Sequence, residues 1–223
     1  NIFWNSDFEA KIRQIVNLAD NIYLPLNENN RFGYKSPYKD LDFAHEMKSK
    51  FPLHNYERTA PILHRLRAIK SETELALMRV AAGISKKGFE RLLHFVKPGV
   101  WEHEVEAELI HEYIRNRANG HSFSPIVASG ASACVLHYVE NNKECKDGDL
   151  LLVDCGVDYA NYSSDMTRTF PVNGRYTARQ KQVYDAVLRV QRQAKQMLVP
   201  GTMWPEFQKN VEEIMAKELI DLG

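Results

Sequence analysis

One unit occurs twice in this chain: an amphipathic helix stops at Pro-Gly, and a second helix that begins with Trp runs on to a closing Gly. In the first copy the helix carries Leu75, Met78, Ala82, Ser85, Phe89, Leu92 and Val96 at helical spacing and stops at Lys97-Pro98-Gly99. Its partner carries Trp101, Val105, Leu109 and Tyr113 and closes at Gly120. In the second copy Val183, Val187, Val190, Ala194 and Met197 precede Val199-Pro200-Gly201, and Trp204, Phe207, Val211, Ile214 and Met215 precede Gly223. Pro98 and Pro200 are 102 positions apart, and Gly120 and Gly223 are 103 apart. A two-helix unit with one apolar stripe per helix cannot bury that stripe alone, so a repeat of this kind predicts two related α+β halves, each helix pair lying on its own sheet. Strands follow Gly120, whereas the sequence stops at Gly223. The expectation is a complete first repeat and a truncated second one.

Upstream, the pattern predicts a helix over 8–18, a strand over 21–26, a polar Asn-rich loop, a helix over 41–49 and a linker over 52–61. These pieces are too few for an independent core. Residues 1–60 are therefore read as the remainder of an N-terminal domain with its linker, and 61–223 as the main domain. The long helix of the first repeat starts at a capping box, Ser71-Glu72-Thr73-Glu74.

Charge and composition narrow the function. The 29 Lys and Arg balance 29 Asp and Glu, so no net field draws the chain to nucleic acid. No apolar run reaches the length of a membrane span, and the N-terminus lacks a signal-peptide pattern, which predicts a cytoplasmic protein with no membrane partner. Cys134, Cys145 and Cys155 form no Cys-x-x-Cys and are expected to be reduced.

The chemistry concentrates in residues 149–172, which read as a β-hairpin. Its first strand runs through Leu150 to Val153 and then sets Asp154 where another aliphatic residue is expected. A charge at such a place is costly unless it has a partner. A tight turn at Tyr159-Ala160 would put Asp154 opposite Asp165, on one face, with Cβ atoms about 4.5–5.5 Å apart. Two carboxylates so close repel unless a proton or a cation lies between them, and hard divalent ions suit carboxylate oxygens. These residues alone leave open an exposed aspartate pair or a metal site. Other candidates fail on spacing: His111-Glu112 has Arg115 where a zincin helix needs its second His, and Gly130-Ala131-Ser132-Ala133 lacks a Gly of the nucleophile elbow. The acidic and His-rich stretch 102–112 reads as a solvated helix face.

The strings Leu152-Val153-Asp154-Cys155-Gly156 and Asn161-Tyr162-Ser163-Ser164-Asp165-Met166-Thr167-Arg168-Thr169-Phe170-Pro171-Val172 resemble the metal-binding hairpin of the Xaa-Pro aminopeptidases (aminopeptidase P), among the pita-bread metallopeptidases. Upstream, Ile126-Val127-Ala128-Ser129-Gly130 and Leu136-His137-Tyr138 are similar to that family's strand turn and active-site histidine. The likeness runs from about His64 to Gly223. It implies an α+β pita-bread (creatinase/aminopeptidase) fold, its second repeat truncated, preceded by the end of an α/β N-terminal domain. It also implies two divalent metal ions, Mn2+ in this reading, with Asp165 bridging them, Asp154 on one of them, and His137 hydrogen-bonded to substrate. The family's remaining ligands, one His and two Glu, would lie beyond Gly223. Phe123 stands near where relatives often carry Tyr.

The activity so implied is release of the N-terminal residue from peptides with Pro in second position, by a homo-oligomer (dimer or tetramer), with this fragment alone inactive. The alternatives are a non-catalytic pita-bread module that binds peptide or protein, and a prolidase that cleaves Xaa-Pro dipeptides. Retention of both Asp154 and Asp165 favours the enzyme.

Overall fold

The computed structural model describes residues 2–26 and 38–223; the Asn-rich loop falls outside the described residues. The chain divides into two compact units, Asn1–Thr73 and Glu74–Gly223. In the first, after a short 3-10 turn, helix α1 (Phe8–Val16), strand β1 (Asn21–Leu24), helix α2 (Lys39–Lys50), strand β2 (Asn55–Arg58) and helix α3 (Ala60–Ala68) follow in order. Strands β1 and β2 pair in parallel, Ile22 beside Tyr56, with Val16, Ile22, Leu24, Ala44 and Met47 buried together. The linker expected over 52–61 is thus a strand and the start of a helix. Pro61 sits in the first turn of α3, where its missing N–H has no intrahelical partner to lose. The unit boundary also leaves α3 on the N-terminal side, whereas the sequence reading begins the main domain at 61.

The second unit opens with helices α4 (Glu72–Phe95) and α5 (Glu102–Arg115). Strands β3 (Gly120–His121), β4 (Ile126–Ser129), β5 (Leu150–Cys155), β6 (Val157–Tyr159), β7 (Tyr162–Ser163) and β8 (Met166–Pro171) follow, then helices α6 (Ala178–Met197) and α7 (Trp204–Leu222). The strands form two small sheets, in the orders β3-β6-β7 and β4-β5-β8. The core lies between α4, α5 and the sheets: Ile84 and Leu92, Val105 and Leu109, and Leu151 and Val153 are buried in one cluster. On α4 the buried stripe runs through Ala81, Ile84, Ser85, Gly88, Phe89 and Leu92. Ala82, assigned to it from spacing, is exposed.

The two helix pairs correspond. Gly99 and Gly201, after the two prolines, both take left-handed backbone (φ 95° and 92°), open to glycine without a Cβ clash. In each pair an Arg of the first helix meets a Glu of the second: Arg91 with Glu108, and Arg189 with Glu218 in a two-pronged contact at 2.9 and 2.6 Å. They differ in what they cover. The first pair lies on a sheet, whereas among the described residues α6 buries only Ala186 and Val190, and α7 buries none. Trp204 and Ile220 stand 60% and 78% exposed.

Candidate metal centre

Alternation along β5 sorts its side chains: Leu151, Val153 and Cys155 are buried in the core, and Leu150, Leu152 and Asp154 are half-buried on the other face. Asp154 therefore ends no doubly buried run. It stands on the outer face, in a cross-strand row with Ile126 of β4 and Thr167 of β8. Ile126, Ala128 and Tyr138 form a small buried cluster on the same side, with Leu152 packed against it.

The hairpin register corrects the expected pairing. Tyr159 pairs with Tyr162, so the turn is Ala160-Asn161, both left-handed at φ 52° and 65°. That is the two-residue turn whose twist suits a hairpin, and Asn tolerates it far better than Tyr159 would. The ladder shifts by two residues, and Asp154 faces Thr167. A shift of two leaves every side chain of the ladder on its original face, and Asp165, just outside the ladder ahead of β8, still lies beside Asp154. Gly156 marks the break between the two sheets. A Cβ there would lie 1.9 Å from the Ser164 carbonyl oxygen and 2.3 Å from Ser122 Oγ. The close approach lets Ser164 accept from Val157 N–H through Oγ (3.0 Å) and donate its own N–H to the Val157 carbonyl (2.9 Å).

The electrostatics of the pair are those of a site short of positive charge. Asp154 Oδ1 is buried with no hydrogen-bond partner. The Asp165 carboxyl is pushed above its ordinary range, first by loss of solvent and then by the negative Asp154 beside it. An orphaned buried carboxylate oxygen next to a second carboxylate fits a hard divalent cation. Among the described residues no group of three or more His, Cys, Asp or Glu side chains comes together to complete such a site. A cavity of about 820 Å³, lined by Met166, Arg168 and Phe170, lies against the other face of β8 and is apart from the carboxylates.

His137 is exposed on the turn after a short 3-10 helix, Gly130–Cys134, with a left-handed backbone at φ 56°. The next residue, Tyr138, is buried in the Ile126 and Ala128 cluster, which attaches the His137 turn to the side of the sheet that carries Asp154. Spacing alone missed Glu102 and Glu112, which are buried (0% and 8% exposed) and not part of a solvated face. The signal was present: 102, 105, 109 and 112 share one helical stripe, and only the charge of the side chain argued against burial.

The domain thus lays helices on antiparallel sheet and carries Asp154 and Asp165 at the hinge of a hairpin. Residues 76–222 match the profile of metallopeptidase family M24, and the chain belongs to that family. Within it the likeness is to Xaa-Pro aminopeptidases: the chain is 40% identical over 163 residues to that of Haemophilus influenzae, across 73% of this chain and 38% of the relative. Pseudomonas aeruginosa aminopeptidase P superposes with a TM-score of 0.84 at 33% identity, over 99% of this chain and 50% of that one. Two Escherichia coli aminopeptidase P structures, of aspartate-to-alanine variants at positions eleven residues apart, superpose with TM-scores of 0.84 and 0.83 at 33% and 34% identity, each over 98% of this chain and 50% of that one. The chain thus shares the pita-bread architecture of aminopeptidase P and spans about half the length of these solved relatives.

Proposed function

We propose that this chain supplies two of the metal ligands, and the substrate-binding histidine, of a dinuclear Xaa-Pro aminopeptidase. The observation that carries the reading is the unpartnered Asp154 Oδ1 beside a second carboxyl, Asp165, whose pKa burial and the Asp154 charge push upward. The eleven-residue spacing of Asp154 and Asp165 equals that of the two substituted aspartates in the E. coli variants and supports it. Other variants of that enzyme replace two histidines and a glutamate, which lie 90 to 123 residues past the first of those aspartates. Counted from Asp154, such positions fall outside these 223 residues.

Asp154 and Asp165 would hold the ions through their carboxylate oxygens. Mn2+ is among the hard divalent ions that carboxylate oxygens suit, and it is the ion proposed here. When bound, such ions polarise the scissile carbonyl and supply a water of lowered pKa. His137 donates a hydrogen bond to the substrate near the scissile peptide, orienting it over the sheet face. The substrate is a peptide with Pro in second position, and the enzyme is a cytoplasmic homo-oligomer. Full-length protein with Mn2+ and an Xaa-Pro tripeptide tests this. Loss of N-terminal residue release in Asp165→Ala and Asp154→Ala is expected, and full activity in either would overturn the reading. A wild type that holds metal but cleaves only Xaa-Pro dipeptides would make it a prolidase, and one that neither holds metal nor cleaves would make it a binding module.

A further inference from the structure

We infer that Glu102 is a positioning residue for His137, acting through the Tyr138 hydroxyl; the inference rests on the substrate-holding role proposed for His137. Strand β4 is the edge of its sheet, so the N–H groups on its outer side have no neighbouring strand. Two buried side chains take that strand's place. Glu102 Oε1 accepts from Ser129 N–H at 2.8 Å, and Asn141 Oδ1 accepts from Val127 N–H at 2.9 Å. The same two side chains tie down the His137 turn. Glu102 Oε2 accepts from the Tyr138 hydroxyl at 2.7 Å and from Lys143 N–H at 3.0 Å, while the Asn141 amide donates to the Pro125 carbonyl at 3.0 Å and to Glu106 Oε2 at 2.8 Å.

The turn needs such anchoring. His137 and Asn141 both hold left-handed backbone, at φ 56° and 45°. Around His137 the chain faces solvent, with Val135, Leu136 and Val139 at 57%, 86% and 49% exposure, so packing at the turn itself does not hold it. Glu102 is fully buried, and its two oxygens take three donors from β4 and both ends of the turn. One rigid carboxylate therefore refers His137 to β4, and Ile126 of β4 lies directly opposite Asp154. The distance from the imidazole to the paired aspartates is set through that bond chain.

The test uses full-length protein, Mn2+ and an Xaa-Pro peptide. Tyr138→Phe removes the hydroxyl and leaves the ring among Ile126 and Ala128. It should lower kcat/KM about 10- to 100-fold through misplacement of a substrate-holding group, with Mn2+ affinity by calorimetry unchanged. The double variant His137→Ala/Tyr138→Phe should be no worse than His137→Ala alone, because residues that act as one unit are non-additive. Glu102→Gln, which cannot serve all three donors, should repeat the pattern; if it fails to fold, Tyr138→Phe still decides. Losses that multiply in the double variant, Mn2+ affinity lost along with activity in Tyr138→Phe, or a Tyr138→Phe enzyme equal to wild type would each overturn this inference while leaving the role of His137 standing. A fully active His137→Ala would overturn that role and this inference together.

Discussion

Asp154 stands opposite Thr167 in the β5–β8 ladder, and Asp165, just ahead of β8, lies close enough to Asp154 for its carboxyl to feel that charge. The two carboxyls are close enough for the negative Asp154 to raise the Asp165 pKa, and a cation held by both would relieve that repulsion. Just beyond Cys155 in the hairpin is Gly156, where the chain passes from one sheet to the other against the Ser164 carbonyl and Ser122 Oγ. The absence of a side chain there lets the Ser164 backbone, next to Asp165 in the chain, pack close.

Gly156→Ala is accordingly expected to destabilise by about 3 kcal/mol or more, the upper range for overpacking, since the new methyl would meet backbone at 1.9 Å. Urea denaturation of the variant measures this. A loss under 1 kcal/mol would mean that the hairpin shifts freely around Ser164.

The 223-residue chain by itself should bind Mn2+ weakly and turn over no Xaa-Pro peptide. Two carboxylates are a minor part of a coordination sphere, and ions so held keep mostly water. Calorimetry with Mn2+ and a peptide assay on the isolated chain check this, and micromolar affinity with turnover would contradict it.

His121 should make stability pH-dependent. Both of its ring nitrogens are buried without a hydrogen-bond partner, its ring lies edge-on to Tyr113, and Glu106 Oε1 is 4.0 Å from Nε2. Burial lowers its pKa, against a smaller upward pull from Glu106. With the folded value below the unfolded one of about 6.5, the unfolded chain takes up the proton first as pH falls. Stability should therefore drop below about pH 6.5, with this residue contributing at most about 1.4 kcal/mol per pH unit until its folded pKa is reached. In His121→Phe that share of the slope should vanish, as read from urea midpoints between pH 5 and 7.

Thiol labelling should be selective. Cys134 is exposed, while Cys145 and Cys155 are buried and their thiols are pushed up to about 11, chiefly by burial. At pH 8 iodoacetamide should modify Cys134 and leave the other two unmodified until the protein is unfolded. Mass spectrometry of the labelled peptides reads this, and early labelling of Cys155 would show that the hairpin opens.

Much of this protein was legible in its residues. Helical spacing with Pro-Gly stops located α4 to α7, and the hairpin pattern brought Asp154 and Asp165 side by side, a proximity that survives the two-residue shift of register. The aspartate strings were specific enough to give the family. The turn was legible in principle, since Asn161 marks a left-handed position that Tyr159 could not fill. Other features depended on the fold. Strand β2 needs β1 beside it, and its sequence between Pro52 and Pro61 has linker composition. The burial of Glu102 was decided by donors at Ser129, Tyr138 and Lys143, up to 41 residues away, which no local pattern brings together. Periodicity reports which side of an element faces inward, a property of neighbours in sequence. Whether a buried carboxylate is satisfied depends on hydrogen bonds from distant segments, and only the tertiary structure supplies them.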